Sequence, residues 1–275
     1  MLLVVLVASG AIFPIYFTRA HNFLILFFER MRLKSKNHNL MRITPANFFY
    51  AARNPCKAAR YLRWRDVIPY DQISRYIPPN PVIVEAGASN GQNTAEMAEY
   101  WPGAQIHAFE PVPEARDALT ARVSRYGNRV AVYPFALGKT AGEYDMHISG
   151  KGTARDSQSS SLLKPSGHDF EYSFVSFTKI AKVSVVRLDE WAAKRGIPTV
   201  HFLWLDMQGF ELEAMHGAEN LLSRVRSIHM EVANISLYEG APLYPEVKMW
   251  MKKRGFAPVI EAVFRIGGNV LFTRI

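Results

Sequence analysis

Hydrophobic and polar positions divide the chain into two unlike parts. Met1–Phe17 carries no charged residue, and apolar residues return at Phe23–Phe28 after Arg19, His21 and Asn22. As a helix, seventeen residues span roughly 25 Å, and the second apolar patch extends the run to membrane-spanning length. The pattern predicts an apolar N-terminal helix over residues 1–28, a candidate membrane anchor in which Arg19 must snorkel or face protein. Residues 29–80 read as a basic helical segment closed by a Pro-rich linker at Pro78-Pro79-Asn80-Pro81.

From Val82 the pattern changes to short apolar strands alternating with helical stretches. The strands predicted are Val82–Ala86, Gln105–Phe109, Val130–Pro134, Phe202–Asp206, Ser227–Val232, Pro258–Ala262 and Asn269–Thr273. The helices predicted are Gly91–Tyr100, Pro113–Tyr126, Leu188–Arg195, Glu211–Val225 and Tyr244–Arg254. Such alternation specifies an α/β domain over residues 81–275, a doubly wound and mostly parallel sheet with helices on both faces. The last two strands lie too close for a helical crossover. Joined through Gly267-Gly268, they should run antiparallel. Residues 138–187 break the alternation with a Gly/Ser-rich stretch and extra strands.

Charge sharpens this division. The net charge is +9, and residues 1–80 hold twelve Lys/Arg against three Asp/Glu, while residues 81–275 hold twenty-one of each sign. The basic character therefore belongs to the N-terminal segment. Arg30, Arg32, Lys34, Lys36 and Arg42 follow the apolar run and, by the positive-inside tendency, leave the main domain in the cytoplasm. The neutral balance of the main domain gives no global field for a polyanion, which argues against DNA or long RNA as partner. The single cysteine, Cys56, excludes an internal disulfide framework and a Cys-rich zinc site. No metal site is read from the sequence.

Three strand ends carry candidate chemistry. Val82–Ala86 runs into Gly87-Ala88-Ser89-Asn90-Gly91, a turn of small residues that opens a helix. Small residues let backbone approach a ligand, and a helix start offers unpaired N–H groups. As a dinucleotide fingerprint the stretch fails, because Ser89 and Gln92 stand where the second and third glycines belong. The second strand ends in Phe109-Glu110-Pro111, with Glu110 placed 23 residues after Gly87. That is about the spacing at which an acid meets ribose hydroxyls in doubly wound folds, and Pro111 turns the chain out of the strand. The stretch His201–Leu205 ends in Asp206, at the carboxyl end of the strand that flanks the ligand crevice. Glu211 and Glu213 follow in the next helix, where first-turn acids favour the helix dipole. His229 and Glu231 share one face of a later strand. His168, in the irregular 138–187 region, is a further candidate near an acceptor.

The order and spacing of these stretches resemble the FkbM family of methyltransferases. The matching residues are Glu85–Gly91, Phe109–Pro111, Ala136-Leu137-Gly138, Ser159–Leu162, Val186–Asp189, Leu205–Glu211, and Met230–Val232 with Gly255-Phe256. The resemblance covers nearly all of residues 81–275. It implies a Rossmann-like class I methyltransferase fold of seven strands in the order 3-2-1-4-5-7-6, with the last antiparallel, and S-adenosylmethionine as cofactor. It assigns the donor site to Glu85, Gly87, Ala88, Asn90, Gly91, Glu110, Pro111, Ala136, Leu137 and Asp206. It suggests O-methylation of a sugar, glycan, lipid or natural product. Removal of the acceptor proton then falls to Asp206, with Glu231 and His168 as further candidates. The competing expectation is a membrane-tethered binding protein that keeps this fold without catalysis.

Overall fold

The computed structural model describes residues 4–8, 11–15, 53, 68–150, 157–167, 171–172 and 175–275. The chain divides into two compact units, Met1–Arg63 and Trp64–Ile275. In the first, β1 (Val4–Ala8) pairs antiparallel with β2 (Ala11–Ile15). This corrects the helix expected over residues 1–28 wherever that stretch is described. The local sequence accounts for it, because Val and Ile favour strands. Among the described residues, no helix is long and apolar enough to cross a membrane.

The second unit begins earlier than residue 81. Its first helix, α1 (Tyr70–Ile73), is short, yet Ile68, Ile73 and Ile77 are buried in the domain's core. The stretch before the prolines is therefore core-forming, and burial of these isoleucines ties it to the fold.

Seven strands form the central sheet, in the order β11-β12-β10-β9-β3-β4-β5. In chain order these are β3 (Val82–Ala86), β4 (Gln105–Phe109), β5 (Val130–Tyr133), β9 (Phe202–Leu205), β10 (Ser227–Ala233), β11 (Phe256–Val263) and β12 (Gly267–Arg274). The neighbours β3–β4, β4–β5, β3–β9 and β9–β10 are parallel, whereas β12 is antiparallel to both β10 and β11. This is the predicted order and the predicted antiparallel end. Connections from β3 to β4 and β5 wind one way and the connection to β9 winds the other. A crevice therefore opens at the carboxyl ends of β3 and β9.

Both faces of the sheet are covered. On one side α2 (Gln92–Tyr100) and α3 (Pro113–Val123) join Ile83, Ile106, Phe202 and Trp204 in one apolar cluster. On the other, α4 (Leu188–Lys194), α5 (Glu211–His216), α6 (Glu219–Leu222) and α7 (Tyr244–Lys253) pack on Val84, Leu203, Ile228 and Met230. The single helix expected over Glu211–Val225 is two. It breaks at Gly217, where a Cβ would overlap the carbonyl oxygen of Gly138. Asp189 then caps α6, accepting from Asn220 N at 3.0 Å and Leu221 N at 2.9 Å.

The irregular region forms a second, three-stranded sheet. The strands β6 (Ala136–Leu137), β8 (Phe177–Val186) and β7 (Gly142–Ser149) lie side by side, with β7 and β8 antiparallel. It stands between β5 and α4 in the chain and brings Met146 and the Ser-rich stretch toward the crevice.

Candidate active site

The turn after β3 is held from beneath by the neighbouring strand. Gly87 N and Ala88 N both donate to Phe109 O at 3.1 Å. Gly87 takes φ of +80°, and a side chain there would strike the carbonyl of Asp206. Only glycine meets both demands. Glu110, at the end of β4, folds back over this turn. Its carboxylate accepts from Ser89 N at 2.7 Å and Val112 N at 2.8 Å. Burial pushes the Glu110 carboxyl up to about 7, against the opposing pull of those two N–H groups and Arg116. Ser89 is held at φ of +49°, and its buried hydroxyl has no hydrogen-bond partner among the described residues. A strained residue with an unspent polar atom on a cleft wall marks a place where a ligand completes the bonding.

The cleft runs between these turns and the end of β9. Gly87, Glu110, Pro111, Ala136, Leu137 and Asp206 of the expected donor site all line it. Its walls include Val112, Phe135 and Phe210, with Ser89, Gln158 and Ser160 as polar groups.

Other expected residues lie elsewhere. Glu85 is fully buried behind the turn and accepts from Thr94 Oγ1 at 2.5 Å. Burial raises its carboxyl to about 8, which favours the uncharged form. Ala88 is packed in the apolar cluster with Ile83 and Leu119. Asn90 faces away, its Oδ1 accepting from Gln92 N and its carbonyl from Arg122. Gly91, at φ of +78°, lets the turn pass Leu119, whose Cδ1 would lie 2.6 Å from an added Cβ. These residues shape the turn from behind. Within the turn only Gly87 and Ser89 line the cleft, which linear spacing does not reveal. His168 lies outside the described residues.

At the far end of the cleft, Asp206, Gln208 and Glu231 form one network. Gln208 Nε2 donates to Asp206 Oδ1 at 2.9 Å and to Glu231 Oε2 at 2.6 Å. Burial first, then Asp206 and Glu211, hold the Glu231 carboxyl well above the usual carboxylate range. Gln208 itself has φ of +55°. Glu211 does more than favour a helix dipole, since its Oε1 accepts from Met207 N at 2.8 Å and Gly209 N at 3.3 Å and so braces this turn. His229 is separate from the network. Its ring stacks on Trp204 with centroids 3.8 Å apart, and burial lowers its imidazole to about 3. Among the described residues, no group of three or more His, Cys, Asp or Glu could hold a metal ion.

Gln208, Ser89 and the Ser-rich wall were not singled out as site residues by sequence reasoning. Ser159–Leu162 and Leu205–Glu211 were visible as conserved-order stretches of the resemblance, but which members face the cleft depends on backbone turns at Ser89 and Gln208.

The strand order and the cleft at its switch point define a class I, S-adenosylmethionine-dependent methyltransferase. A model of the methyltransferase FkbM domain matches residues 85–258, and the chain belongs to that family. The 2-O-methyltransferase NoeI of Sinorhizobium fredii is 31% identical over 164 residues, covering 59% of this chain and 67% of that protein. The 31-O-demethyl-FK506 methyltransferase FkbM of Streptomyces tacrolimicus is 27% identical over 200 residues, covering 66% and 75%. Among solved structures, an rRNA methylase from Streptococcus thermophilus matches at a TM-score of 0.41 and 13% identity over 75% of this chain and 93% of that one. That likeness is too distant to bear on the acceptor. The methyltransferases among these relatives do not favour a non-catalytic binding protein.

Proposed function

We propose that the protein transfers a methyl group from S-adenosylmethionine to a hydroxyl of a sugar, glycan, lipid or natural product. The observation that carries this reading is the Gln208 amide bridging Asp206 and Glu231 at the cleft. The names of two relatives, which specify O-methylation, support it.

The residues present suit the donor. Glu110 keeps free lone pairs for ribose hydroxyls after accepting its two backbone N–H groups. Ser89 Oγ is unspent, Gly87 leaves the turn bare, and Val112, Phe135 and Leu137 offer an apolar wall for a purine. When bound, S-adenosylmethionine supplies a methyl carbon activated by a sulfonium.

The rest falls to the chain. Burial keeps Glu231 protonated, so Asp206 is the group that orients the acceptor hydroxyl and takes its proton, as the acceptor oxygen bonds the methyl carbon and the carbon–sulfur bond breaks. Gln208 stabilises whichever carboxylate is charged. The wall of Gln158, Ser160 and Met146 faces the acceptor side. Much of the task is alignment, which rigid strand ends serve well.

Incubation with methyl-labelled donor and a panel of glycans, hydroxylated lipids and RNA tests this. Label in a stable ether on a glycan or lipid hydroxyl is expected. Label confined to RNA, or no transfer to any hydroxyl, contradicts it.

We also infer that residues 1–28 bring the protein to a membrane surface, with the catalytic domain on the cytoplasmic side. The uncharged run and the five cations after it support this. Flotation with anionic vesicles should carry the full chain but not a chain starting at Met41. Equal flotation of both overturns it.

A further inference from the structure

We propose that a basic patch at the amino ends of β10 and β11 rests on anionic lipid headgroups and so orients a domain that residues 1–28 hold at the membrane. The proposal rests on that reading of residues 1–28.

Three chain segments bring cations together there. Arg224 and Arg226 precede β10, Lys252, Lys253 and Arg254 close α7 ahead of β11, and Arg274 ends β12. Because β12 is antiparallel to both neighbours, its last residues lie beside the first residues of β10 and β11, with Thr273 opposite Ser227 and Arg274 opposite Phe256. Backbone bonds close the group. Arg274 N donates to Arg226 O at 3.0 Å, and Ile275 N donates to Gly255 O at 2.9 Å.

Little of this charge is neutralised. Arg254 pairs with Glu219 at 2.8 Å. Arg224 donates to Pro198 O at 2.6 Å, and Arg274 Nε donates to Val225 O at 3.1 Å. A carbonyl takes the hydrogen bond and leaves the positive charge in place. Asp189 is engaged at the start of α6, where it caps Asn220 and Leu221. Arg226, Lys252 and Lys253 are exposed and have no carboxylate partner among the described residues. Cations in a last helical turn favour the helix dipole, which accounts for Lys252 and Lys253. It does not account for Arg226 or Arg274, which stand outside any helix.

The apolar groups of the patch favour lipid over nucleic acid. Met249, one turn before Lys253 on α7, is 56% exposed. A thioether among cations on long stems suits the boundary between headgroups and acyl chains. A single-stranded nucleic acid needs an open aromatic face on which to stack. The Trp250 face is covered by the Arg254 guanidinium at 3.6 Å, and His216 packs edge-on against the same ring at 5.2 Å. The cleft lies at the opposite, carboxyl ends of β3 and β9, so it faces away from the lipid. Such a patch alone exchanges freely at physiological salt. The tether raises its effective concentration, which is what fixes the orientation.

The test is lysine footprinting of the full chain on phosphatidylcholine vesicles that contain about one-third phosphatidylserine. Brief acetylation is read by mass spectrometry. Labelling of Lys252 and Lys253 should fall roughly threefold or more on these vesicles, while Lys164 and Lys182 label as in solution. Pure phosphatidylcholine vesicles, or about 1 M salt, should abolish the protection while the protein stays on the vesicles. Arg226→Glu should reduce the protection and leave melting temperature and donor binding unchanged. Vesicle-bound protein with unprotected Lys252 and Lys253 overturns this proposal alone, as does protection by single-stranded RNA and not by the anionic vesicles. Protein that stays off the vesicles altogether overturns the reading of residues 1–28 and this proposal with it.

Discussion

The backbone carbonyl of Asp206 occupies the space into which a side chain on Gly87 would project. The two strand ends meet there, and Asp206 N also donates to Ala86 O at 3.1 Å. The turn after β3 and the end of β9 are therefore built as one contact. Gly87→Ala must both open this contact and hold alanine at positive φ. Left-handed backbone costs roughly 1–2 kcal/mol and overpacking roughly 1–3 kcal/mol. The variant should lose about 3 kcal/mol in urea unfolding and bind donor poorly. Wild-type stability would show that the contact relaxes freely.

Glu110 links the second strand to the turn after the first. Glu110→Ala removes the acceptor for Ser89 N and Val112 N and, on the proposed function, for the donor's ribose hydroxyls. Calorimetry should show S-adenosylmethionine binding weakened by about 1.5–3 kcal/mol, the worth of a charged hydrogen bond. Unchanged affinity would remove Glu110 from the site.

Buried acids give this domain an unusual pH dependence. Glu85 rises to about 8 and Glu211 to about 7, both chiefly through burial. A carboxyl raised in the folded state binds its proton more tightly there than in the unfolded chain. Its contribution is complete below the unfolded value near 4.5 and is lost as pH climbs through the folded value. Stability should therefore fall between pH 5 and 8, approximately, and Glu85→Gln should flatten that slope. Melting temperatures across this range check it, and an equally steep fall in the variant would place the titration elsewhere.

Much of the fold was legible because strand ends are punctuated in sequence. Val82–Ala86 and Gln105–Phe109 match their predicted limits, since each is a short apolar run bounded by Pro, Gly or acid. The break at Gly217 was not legible, because it depends on Gly138, a residue distant in sequence. The N-terminal hairpin was misread because apolarity alone does not separate strand from helix. At the site, the acids Glu110 and Asp206 stood out by position. Glu85 looked equivalent in sequence, yet its side chain points into the core toward Thr94. Gln208 reaches Asp206 and Glu231 from a positive-φ position that no local pattern announces.

The proposed role of Asp206 is to take the acceptor's proton beside the bound donor. It is tested most directly by single-turnover methyl transfer from labelled donor, with Asp206→Asn and wild type compared on one hydroxyl acceptor from the panel. Calorimetry and melting are run on the same samples. Donor binding should stay nearly intact and turnover should fall by roughly a hundredfold to ten-thousandfold. A variant that melts earlier but transfers methyl at a near-normal rate would contradict it and leave Asp206 as the brace of the Gly87 turn.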